Sequence, residues 1–490
     1  MKKLYFSGKW QIKSWQIWGL ICIFSFILTT IYMGTSLTKS NAAGGISHDI
    51  SSPGDWPTYM GDPGHSGYNA NETIINPTTA PNLKLHWQGP RDNHVSSQPI
   101  VVNGVVYWGS WDGNEHAMTV NGSKLWITNL GQTQGLCYPK QVGVIGSPTV
   151  TTAQINGTAT SVLLVGGANT TFYALDATNG SIIWQRQLSA STDTYDWDSS
   201  VVYNGSVYIG ISSHGDCPLV PGQLFQLDIT TGDIQDIFNV VPQGCLGGGI
   251  WGTPTIDTAT GKIYIVTGNG NFSKSPCPVP EPYTYAIVEL QTLDLSVVDS
   301  WQIPKAQRAN DSDFGNTPTL FQANIGGATQ NLVGVANKNG LYYAFTRENL
   351  SSGPVWTAPI AIGGSCAQCG GGSISASAWD GTNLYVGGGK TTINNVSCTG
   401  SIQALDSATG NLIWQDCLTQ GHVIAAVTVI PGIVIVTQGN TVSLIATATG
   451  QILNSLVDTT TTSYYFASAT VSNGMLFAAN MNGKFFAYGL

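Results

Sequence analysis

The sequence predicts an all-β fold, a single β-propeller of eight four-stranded antiparallel blades that follows one N-terminal hydrophobic helix. The main observation is a strand–turn–strand pattern that recurs eight times, at spacings of 40 to 63 residues. Such spacings leave room for about four strands per repeat, which is typical of propellers. The second observation is a charged fraction of only 9%, with 59 glycines among 490 residues. Runs rich in Ala, Leu, Glu and Lys are missing, so long surface helices are not expected.

The first 45 residues are the first predicted element. They contain five lysines and no acidic residue, and the apolar run 17–33 follows the first four of those lysines. At about 1.5 Å per residue, a helix of this length is at the lower limit for crossing a bilayer. The length favours a signal anchor, and the alternative is a long signal peptide cut near residues 41–43. Both place residues 46–490 outside the cytoplasm, either anchored to the cell membrane by this helix or secreted.

Residues 46–82 are predicted to be an extended segment that wraps the surface of the propeller. Subtracting the five N-terminal lysines from the 18 basic residues leaves 13, against 27 acidic residues, so the remaining chain has a net charge of −14. Such a surface repels phosphate backbones, and nucleic acid is therefore not an expected partner. Contact with a membrane is expected through the N-terminal helix only.

Eight cysteines lie beyond the apolar run, and an even number in an exported chain predicts disulfides. Eight cysteines allow 105 pairings, so the pairs are proposed only from proximity along the chain and position in the repeat. They are Cys366–Cys369, Cys398–Cys417 and Cys217–Cys245. The spacing Cys366-Ala-Gln-Cys369 also fits half of a zinc site, but no second such pair exists, so zinc is not expected. Gly370 stands where a covalent haem motif needs a histidine, so haem is not expected.

The repeat is clearest in residues 162–184 and 384–414. Each contains a β-branched strand, a Gly-rich turn, a strand that ends in Ala-Leu-Asp, a Thr/Asn-Gly turn, and a strand that ends in Trp. Alternation with a period of two and Asn-Gly punctuation are typical of hairpins. The eight copies centre on Ala117, Ala174, Gln226, Glu289, Ala344, Ala404, Leu444 and Ala487. They assign the propeller to residues 83–490.

The last copy, Met475–Leu490, lacks an outer strand that carries Trp, whereas Leu83–Trp87 is a strand of that type without a repeat of its own. Joining the two completes the eighth blade and removes an exposed sheet edge. The outer-strand tryptophans are predicted to pack between blades, where each buries about 150–250 Å². They are Trp87, Trp126, Trp184, Trp301, Trp356 and Trp414, and Phe238 and Leu453 take this place in the other two copies.

The pattern Ala-Leu-Asp-x-x-Thr-Gly-x-x-x-Trp resembles the repeat of the quinoprotein, or PQQ-like, β-propeller superfamily over about residues 56–490. That superfamily includes alcohol dehydrogenases that use pyrroloquinoline quinone. It also includes scaffold propellers without catalytic activity, such as the outer-membrane assembly lipoprotein. The resemblance therefore implies the fold but does not assign the chemistry.

Four further segments look like those of polyvinyl-alcohol dehydrogenase-type quinoproteins: Gly249–Pro254, Val266–Gly270, Asp311–Pro318 and Asn337–Tyr343. The resemblance implies that Trp251 is an aromatic floor beneath the quinone and that Lys338 faces its carbonyls. It implies that Asn269 is a metal ligand and that Asp311 is both the catalytic base and a ligand, with Asp313 as a further ligand. The implied cofactors are pyrroloquinoline quinone and Ca²⁺, and the Asp-x-Asp pair leaves a lanthanide open.

The implied chemistry needs these residue types. An indole face holds a flat ring by stacking, and carboxylate and amide oxygens suit a hard divalent ion. The ammonium of Lys338 would stabilise negative charge on a carbonyl oxygen, and a carboxylate would accept the alcohol proton. Each residue also has a structural explanation: Asp311, Asp313 and Asn269 suit turns, Lys338 suits a solvated loop, and Trp251 suits inter-blade packing.

The sequence departs from the dehydrogenase pattern in three respects. The metal-binding Glu is absent from the segment Ser212–Cys217, where Asp216 or His214 would have to replace it. There is no Cys-Cys pair and no haem segment, so an enzyme of this kind needs a separate electron acceptor. Two functions therefore stay open. One is the oxidation of an alcohol or polymer outside the cytoplasm, and the other is a scaffold that binds an envelope protein or an envelope polymer.

Overall fold

The computed structural model describes residues 52–136, 139–270, 277, 281–308, 311–460 and 464–490. The predicted anchor or signal segment lies outside the described residues. Within them, no helix has both the length and the apolar character needed to cross a bilayer. Residues 45–490 form one compact unit.

The described residues form 37 β-strands and five short 3₁₀ helices, and they contain no α-helix. The first strands are β1 (Lys84–Gln88), β2 (Ile100–Val102), β3 (Val105–Gly109), β4 (Asn114–Thr119), β5 (Lys124–Asn129), β6 (Thr133–Gln134), β7 (Gln141–Val142), β8 (Thr149–Ile155), β9 (Thr158–Gly167), β10 (Thr171–Asp176), β11 (Ile182–Gln187), β12 (Thr194–Tyr195), β13 (Val201–Tyr203), β14 (Ser206–Ser213), β15 (Gln223–Asp228), β16 (Ile234–Asn239), β17 (Thr255–Asp257), β18 (Lys262–Val266), β19 (Ala286–Gln291) and β20 (Val297–Gln302).

The remaining strands are β21 (Thr319–Ile325), β22 (Ala328–Ala336), β23 (Leu341–Thr346), β24 (Trp356–Pro359), β25 (Ala378–Trp379), β26 (Asn383–Gly388), β27 (Thr391–Ile393), β28 (Val396–Cys398), β29 (Gly400–Asp406), β30 (Leu412–Leu418), β31 (Thr428–Ile430), β32 (Ile433–Gln438), β33 (Thr441–Ala446), β34 (Ile452–Val457), β35 (Thr470–Ser472), β36 (Met475–Ala479) and β37 (Phe485–Gly489). The 3₁₀ helices are Ala80–Asn82, Ala168–Thr170, Lys305–Gln307, Leu350–Ser352 and Ala367–Cys369.

These strands build eight antiparallel blades, which confirms the predicted all-β propeller with four-stranded blades. From the innermost strand outwards, the blades are β2–β5, β8–β11, β13–β16, β17–β20, β21–β24, β25-β26-β29-β30, β31–β34 and β35-β36-β37-β1. Strand β12 adds to blade 3, and β6-β7 and β27-β28 are separate hairpins. Inner strands such as β2 and β31 are short and buried on both faces, as β-branched runs favour, whereas an outer strand such as β5 contains both exposed and buried positions.

Blade 8 combines strands from both ends of the described chain. Its outer strand, β1, pairs antiparallel with β37, with Lys84 opposite Gly489 and Gln88 opposite Phe486. The indole of Trp87 stacks on Phe485 at 5.5 Å between ring centroids. The outer edge of β37 is therefore covered by backbone pairing, and an uncovered edge of that kind invites aggregation.

Five of the six outer-strand tryptophans connect their blade to the next one by a hydrogen bond. The Nε1 of Trp126 donates to the carbonyl of Ala177 at 3.0 Å, directly after the Ala-Leu-Asp of blade 2. The same bond is made by Trp87, Trp184, Trp356 and Trp414 to the carbonyls of Val120, Ile229, Ser407 and Thr447. These tryptophans are therefore packing residues, as the repeat predicts, and they do not line the axial cavity described below.

The same contact explains the glycine of the Thr/Asn-Gly turn. Gly410 has a φ of +69°, and a Cβ placed on it would lie 2.3 Å from Cε3 of Trp356. Gly122, Gly180, Gly232 and Gly450 face the other four tryptophans in the same way. Glycine is needed at this position both for its backbone conformation and for the indole that covers it.

We expect Gly410→Ala to lower the free energy of unfolding by about 2–4 kcal/mol, because it adds a steric clash to the cost of a positive φ. Gly326→Ala is the matched control, since Gly326 has a φ of +63° and no atom within 4 Å of its added Cβ. Its cost should stay near 1 kcal/mol. Denaturant unfolding of both variants measures the difference, and equal losses would show that the tryptophan contact contributes nothing.

Hydroxyl groups connect the inner strands around the axis. In blades 2 to 4, a backbone amide at the entrance to the inner strand donates to a hydroxyl of the next blade, as in Ser147 N to Ser199 Oγ (2.9 Å) and Ser199 N to Thr253 Oγ1 (3.0 Å). Thr253 N continues the series to Thr317 Oγ1 at 3.0 Å. The series fixes the positions of blades 2 to 5 relative to one another along the propeller axis. Blades 4 and 5 carry the residues predicted for the functional site.

Residues 55–69, here called the axial segment, do not wrap the outside of the propeller. They lie inside its central channel, against the inner strands. Their backbone bonds to inner strands in order around the ring. These bonds include Trp56 N to Val101 O (2.7 Å), Val150 N to Pro57 O (2.8 Å), Ile256 N to Pro63 O (2.8 Å), Leu320 N to Gly64 O (2.9 Å), Trp379 N to Ser66 O (2.8 Å) and Val429 N to Gly67 O (2.7 Å). The side-chain amide of Asn69 donates to Val471 O at 2.9 Å. Seven of the eight inner strands therefore bond to one segment, which covers edges that would otherwise face the channel.

Two of the three proposed disulfides are present, Cys366–Cys369 and Cys398–Cys417. The proposed pair Cys217–Cys245 is wrong, because Cys245 is bonded to Cys277 with 5.6 Å between their Cα atoms. The loop before β17 and the loop after β18 lie at the same end of blade 4, which brings these two cysteines together. Cys217 is also in a disulfide.

Candidate functional site

An axial cavity of about 940 Å³ lies at one end of the ring. All eight blades line it through two kinds of loop, those before an innermost strand and those between a second and a third strand. Antiparallel pairing places both kinds at the same end of every blade. Tyr59 of the axial segment also lines the cavity. Its volume is in the range of about 300–1,000 Å³ that small-molecule sites occupy.

The five predicted site residues all line this cavity: Trp251, Asn269, Asp311, Asp313 and Lys338. Trp251 precedes β17 and Asn269 follows β18, so both belong to blade 4. The two aspartates precede β21, and Lys338 follows β22 in blade 5. Residues far apart in sequence therefore come together because neighbouring blades present equivalent loops.

Lys338 is at the centre of the polar group. Its Nζ bonds to Asp311 Oδ2 at 2.9 Å and to Asp313 Oδ2 at 3.0 Å. It also lies over the Trp251 ring, 5.2 Å from the centroid, at a distance typical of a cation–π contact. Only 11% of the side chain of Lys338 is exposed. The loop is therefore not freely solvated, and the lysine is held between two carboxylates and an indole.

Asn269 connects this group to blade 3. Its backbone amide donates to Asp313 Oδ1 at 2.6 Å, and its Nδ2 donates to Asp216 Oδ2 at 3.2 Å. Asp216 is exposed and also accepts from Ser213 Oγ at 3.0 Å. His214 instead packs edge-on against Trp197, with 5.1 Å between ring centroids. Of the two alternatives for the absent Glu, the residue beside Asn269 is Asp216.

The indole of Trp251 is positioned by a glycine. A Cβ placed on Gly315 would lie 1.9 Å from Cη2 of Trp251, so the ring packs directly on the backbone of the next blade. Gly252 is equally close, because its Cβ would lie 2.2 Å from Asn316 O. Any side chain at either position would displace the indole or the loop that carries it.

Burial and charge shift the two central groups. Burial raises the pKa of the Asp313 carboxyl above its usual value, Lys338 opposes the shift, and the Asp311 and Asp216 carboxylates add to it. Burial lowers the pKa of Lys338, but the charges of Asp313 and Asp311 and their hydrogen bonds outweigh it, and the pKa is raised. Lys338 is therefore charged at neutral pH. With three carboxylates and one ammonium, the group attracts a further cation.

The opposite side of the cavity is aromatic, and the sequence analysis missed it. Trp111 and Trp197 meet there at 5.7 Å between ring centroids. Further large apolar lining residues include Ile145, Ile424, Tyr464, Phe466 and Met481. The repeat contains the signal, because Trp197 and Phe466 stand two residues before a cavity-end Ser or Thr, as Trp251 does. Trp111 and Met481 occupy the position of Lys338 in their own blades.

Outside the cavity, Cys245, Cys277 and Glu281 bring three ligand-type atoms within 4.8 Å of one another. The two cysteines form a disulfide, so their sulfurs are not available as thiolates for a metal.

Comparison with known proteins agrees with this architecture. The family model described as "Outer membrane protein assembly factor BamB" matches residues 78–209 and 138–277. A polyvinylalcohol dehydrogenase from Pseudomonas sp is 22% identical over 436 residues; the match covers 79% of this chain, and the chain spans 64% of the length of that relative.

Two solved structures share the fold. Quinohemoprotein alcohol dehydrogenase from Comamonas testosteroni superimposes with a TM-score of 0.70 at 17% identity, covering 91% of this chain and 82% of that one. BamB from Moraxella catarrhalis superimposes with a TM-score of 0.55 at 16% identity, covering 83% of this chain and 100% of that one. The resemblance to the PQQ-like β-propeller superfamily is therefore confirmed, and the chain is an eight-bladed β-propeller that is similar both to alcohol dehydrogenases and to BamB.

Proposed function

We propose that the axial cavity oxidises an alcohol with pyrroloquinoline quinone and a divalent cation such as Ca²⁺. One observation supports the proposal above the others: Trp251, Asn269, Asp311, Asp313 and Lys338, chosen from separate sequence motifs, line one cavity. Blade packing alone does not require a lysine, two aspartates and an asparagine to converge on the axis. Alcohol oxidation is the activity of the related dehydrogenases, and for this chain it is a proposal.

The residues present fit such a cofactor. The carboxylates of Asp311, Asp313 and Asp216 and the amide of Asn269 are oxygen donors that suit a hard cation. The indole of Trp251 offers a flat apolar surface, and glycines at 249, 252, 268 and 315 line the cavity around it without side chains. Asn316 Oδ1 is buried near the cavity without a hydrogen-bond partner.

When bound, the quinone would accept two electrons from the alcohol, and the cation would polarise it. Trp251 would support the ring, and Lys338 would place positive charge beside its oxygens. Asp311 would accept the hydroxyl proton, because it is the less buried of the two aspartates beside Lys338, with 22% of its side chain exposed against 9% for Asp313. Asp216 and Asn269 would hold the cation from the side of blades 3 and 4.

The proposal includes a separate electron acceptor and a location outside the cytoplasm. The disulfides Cys245–Cys277, Cys366–Cys369 and Cys398–Cys417 support an oxidising compartment. Thiol counting on protein isolated from its own cells without reductant checks the location, and free thiols at these positions would argue against it. The membrane anchor or signal segment stays a prediction from the sequence.

Titration calorimetry of the purified protein with pyrroloquinoline quinone, with and without Ca²⁺, tests the proposal. We expect quinone binding that Lys338→Ala weakens at least about tenfold, or about 1.4 kcal/mol. Asp216→Asn should weaken Ca²⁺ binding by a similar factor and leave quinone binding without metal unchanged, since it removes an anionic ligand only. Glu348→Gln, at an exposed carboxylate outside the cavity, is the control and should change neither.

A second candidate is a scaffold that binds a protein partner or an envelope polymer. The observation that favours it is the match to a family described as an assembly factor. The same titration decides between the two, because absence of quinone binding at high micromolar concentration, with and without Ca²⁺, would remove the support for the enzyme and leave the scaffold.

A further inference from the structure

The rim of the axial cavity contains a Cys-x-x-Cys disulfide that the proposed oxidation does not use. Cys366 and Cys369 are bonded across the 3₁₀ turn Ala367–Cys369, and Cys366 and Gln368 line the cavity. Cys369 is exposed and Cys366 lines the cavity, so the pair is part of the entrance and not of the core.

This disulfide is more accessible than the other two whose partners are both described. Cys369 is exposed and Cys366 half-buried. In contrast, Cys398 is 2% exposed and Cys245 is 5% exposed. Exchange with an external thiol requires direct approach to a sulfur, so the Cys366–Cys369 pair should react first.

Two basic residues pack against the loop that carries the pair. Lys390 packs on the loop, since a Cβ on Gly370 would lie 3.0 Å from its Cγ, and its backbone amide bonds to Gly370 O at 2.8 Å. His422 is half-buried and interacts with the backbone of Gln368 and with the charge of Lys390. An ammonium on the loop that carries a Cys-x-x-Cys pair would stabilise a leaving thiolate.

The loop is also coupled to the centre of the cavity. Five of the ten residues 363–372 are glycines, so few side chains restrain the loop. Gly364 N donates to Lys338 O at 2.9 Å, and a Cβ on Gly372 would lie 2.1 Å from that same oxygen. The loop backbone therefore packs on Lys338 from two sides, and the disulfide is its covalent restraint.

We propose that Cys366–Cys369 is a redox-active disulfide that dithiol reductants open by exchange, and that its redox state sets the order of the loop over Lys338. The proposal goes beyond quinone chemistry and needs no bound cofactor. The reductants are dithiols, either small molecules or a protein with a reduced Cys-x-x-Cys pair.

The exchange transfers two electrons to the protein in two steps. A reductant thiolate attacks Cys369 Sγ, the Cys366–Cys369 bond breaks, and Cys366 leaves as a thiolate that takes up a proton. The second thiol of the reductant then attacks the mixed disulfide, releases Cys369 as a thiol, and closes the reductant's own disulfide. Two electrons and two protons pass to the protein, and the reductant loses the same number.

Timed reduction of the native protein tests the proposal, with dithiothreitol in one arm and reduced thioredoxin in the other. Iodoacetamide trapping and peptide mass mapping follow each cysteine. We expect Cys366 and Cys369 to be alkylated at least tenfold faster than Cys398 and Cys417 in one or both arms. A faster reaction with thioredoxin at equal concentration would identify a protein donor, and reaction with dithiothreitol alone would identify small dithiols.

Two further measurements separate exchange activity from mere exposure. Lys390→Gln should raise the pKa of the leaving thiol and slow the exchange, by about threefold for each pKa unit. Lys305→Gln, at an exposed lysine elsewhere, is the control and should leave the exchange rate unchanged. Hydrogen–deuterium exchange should show faster exchange at 362–372 after reduction and in the Cys366→Ser/Cys369→Ser variant, but not in Cys398→Ser/Cys417→Ser. Reduction of all disulfides at one rate, or unchanged exchange at 362–372, would overturn the proposal.

Discussion

Removal of residues 52–69 is expected to prevent folding of the propeller. The axial segment makes backbone hydrogen bonds to inner strands around the ring and places Trp56, which is 1% exposed, in the core of blade 1. Loss of about seven hydrogen bonds at about 1 kcal/mol each, with about 3–5 kcal/mol for the indole, matches the whole stability of an ordinary domain, about 5–15 kcal/mol. Circular dichroism and size-exclusion chromatography of the truncated protein measure the result.

A milder variant keeps this expectation testable if the truncated protein cannot be purified. Trp56→Ala should fold and lose about 3–5 kcal/mol in denaturant unfolding. Asn71→Ala, at an exposed residue just beyond the segment, should lose less than about 0.5 kcal/mol. A truncated protein that melts at the temperature of the intact one would show that the segment merely fills the channel.

Lys338→Met is expected to destabilise the protein by about 3–5 kcal/mol, the usual cost of removing one partner from a buried ion pair. The variant leaves Asp311 and Asp313 close together without a cation. Burial raises the pKa of Asp313 and Lys338 opposes that shift, so without Lys338 the pKa should rise further, and the folded protein would hold a proton that the unfolded chain has released. Stability should therefore fall as the pH increases from about 5 to 8, and the loss should be larger at pH 8.

Compensation by a second substitution distinguishes this charge effect from lost packing. Lys338→Met/Asp313→Asn removes one of the facing carboxylates and should recover most of the stability at pH 8. Lys305→Met, at an exposed lysine, should have no comparable effect. If the double variant were as unstable as Lys338→Met at both pH values, the aliphatic chain of Lys338 and not its charge would be the stabilising part.

The fold was predictable because the residues that recur in the repeat are the ones that hold neighbouring blades together. In five blades the Trp of the outer strand contacts the turn Gly of the next blade, so these copies specify their connection to the next blade. The path of the axial segment was not predictable in this way. Its residues have no periodicity, and its bonds are made by backbone groups that any sequence supplies.

Site residues were predictable where they lie in recognisable sequence motifs. Residues such as Asp313 and Lys338 lie in segments with a recognisable pattern, and the structure brings them into contact. Asp216 was only one of two alternatives, because a single residue separates it from His214 and the sequence does not say which of the two lies beside Asn269. The Cys245–Cys277 bond was missed because proximity along the chain is a poor guide where every blade returns to the same end.

The axial segment also decides how molecules travel through the protein. Because the segment lies in the channel, the channel is closed at one end, and the cavity that Tyr59 lines has its floor there. A long polymer cannot be threaded through and processed along its length. Under the proposed function, a polymer substrate would present an end or a bent stretch at the rim and withdraw by the same opening, so each product would leave before the next substrate segment could enter.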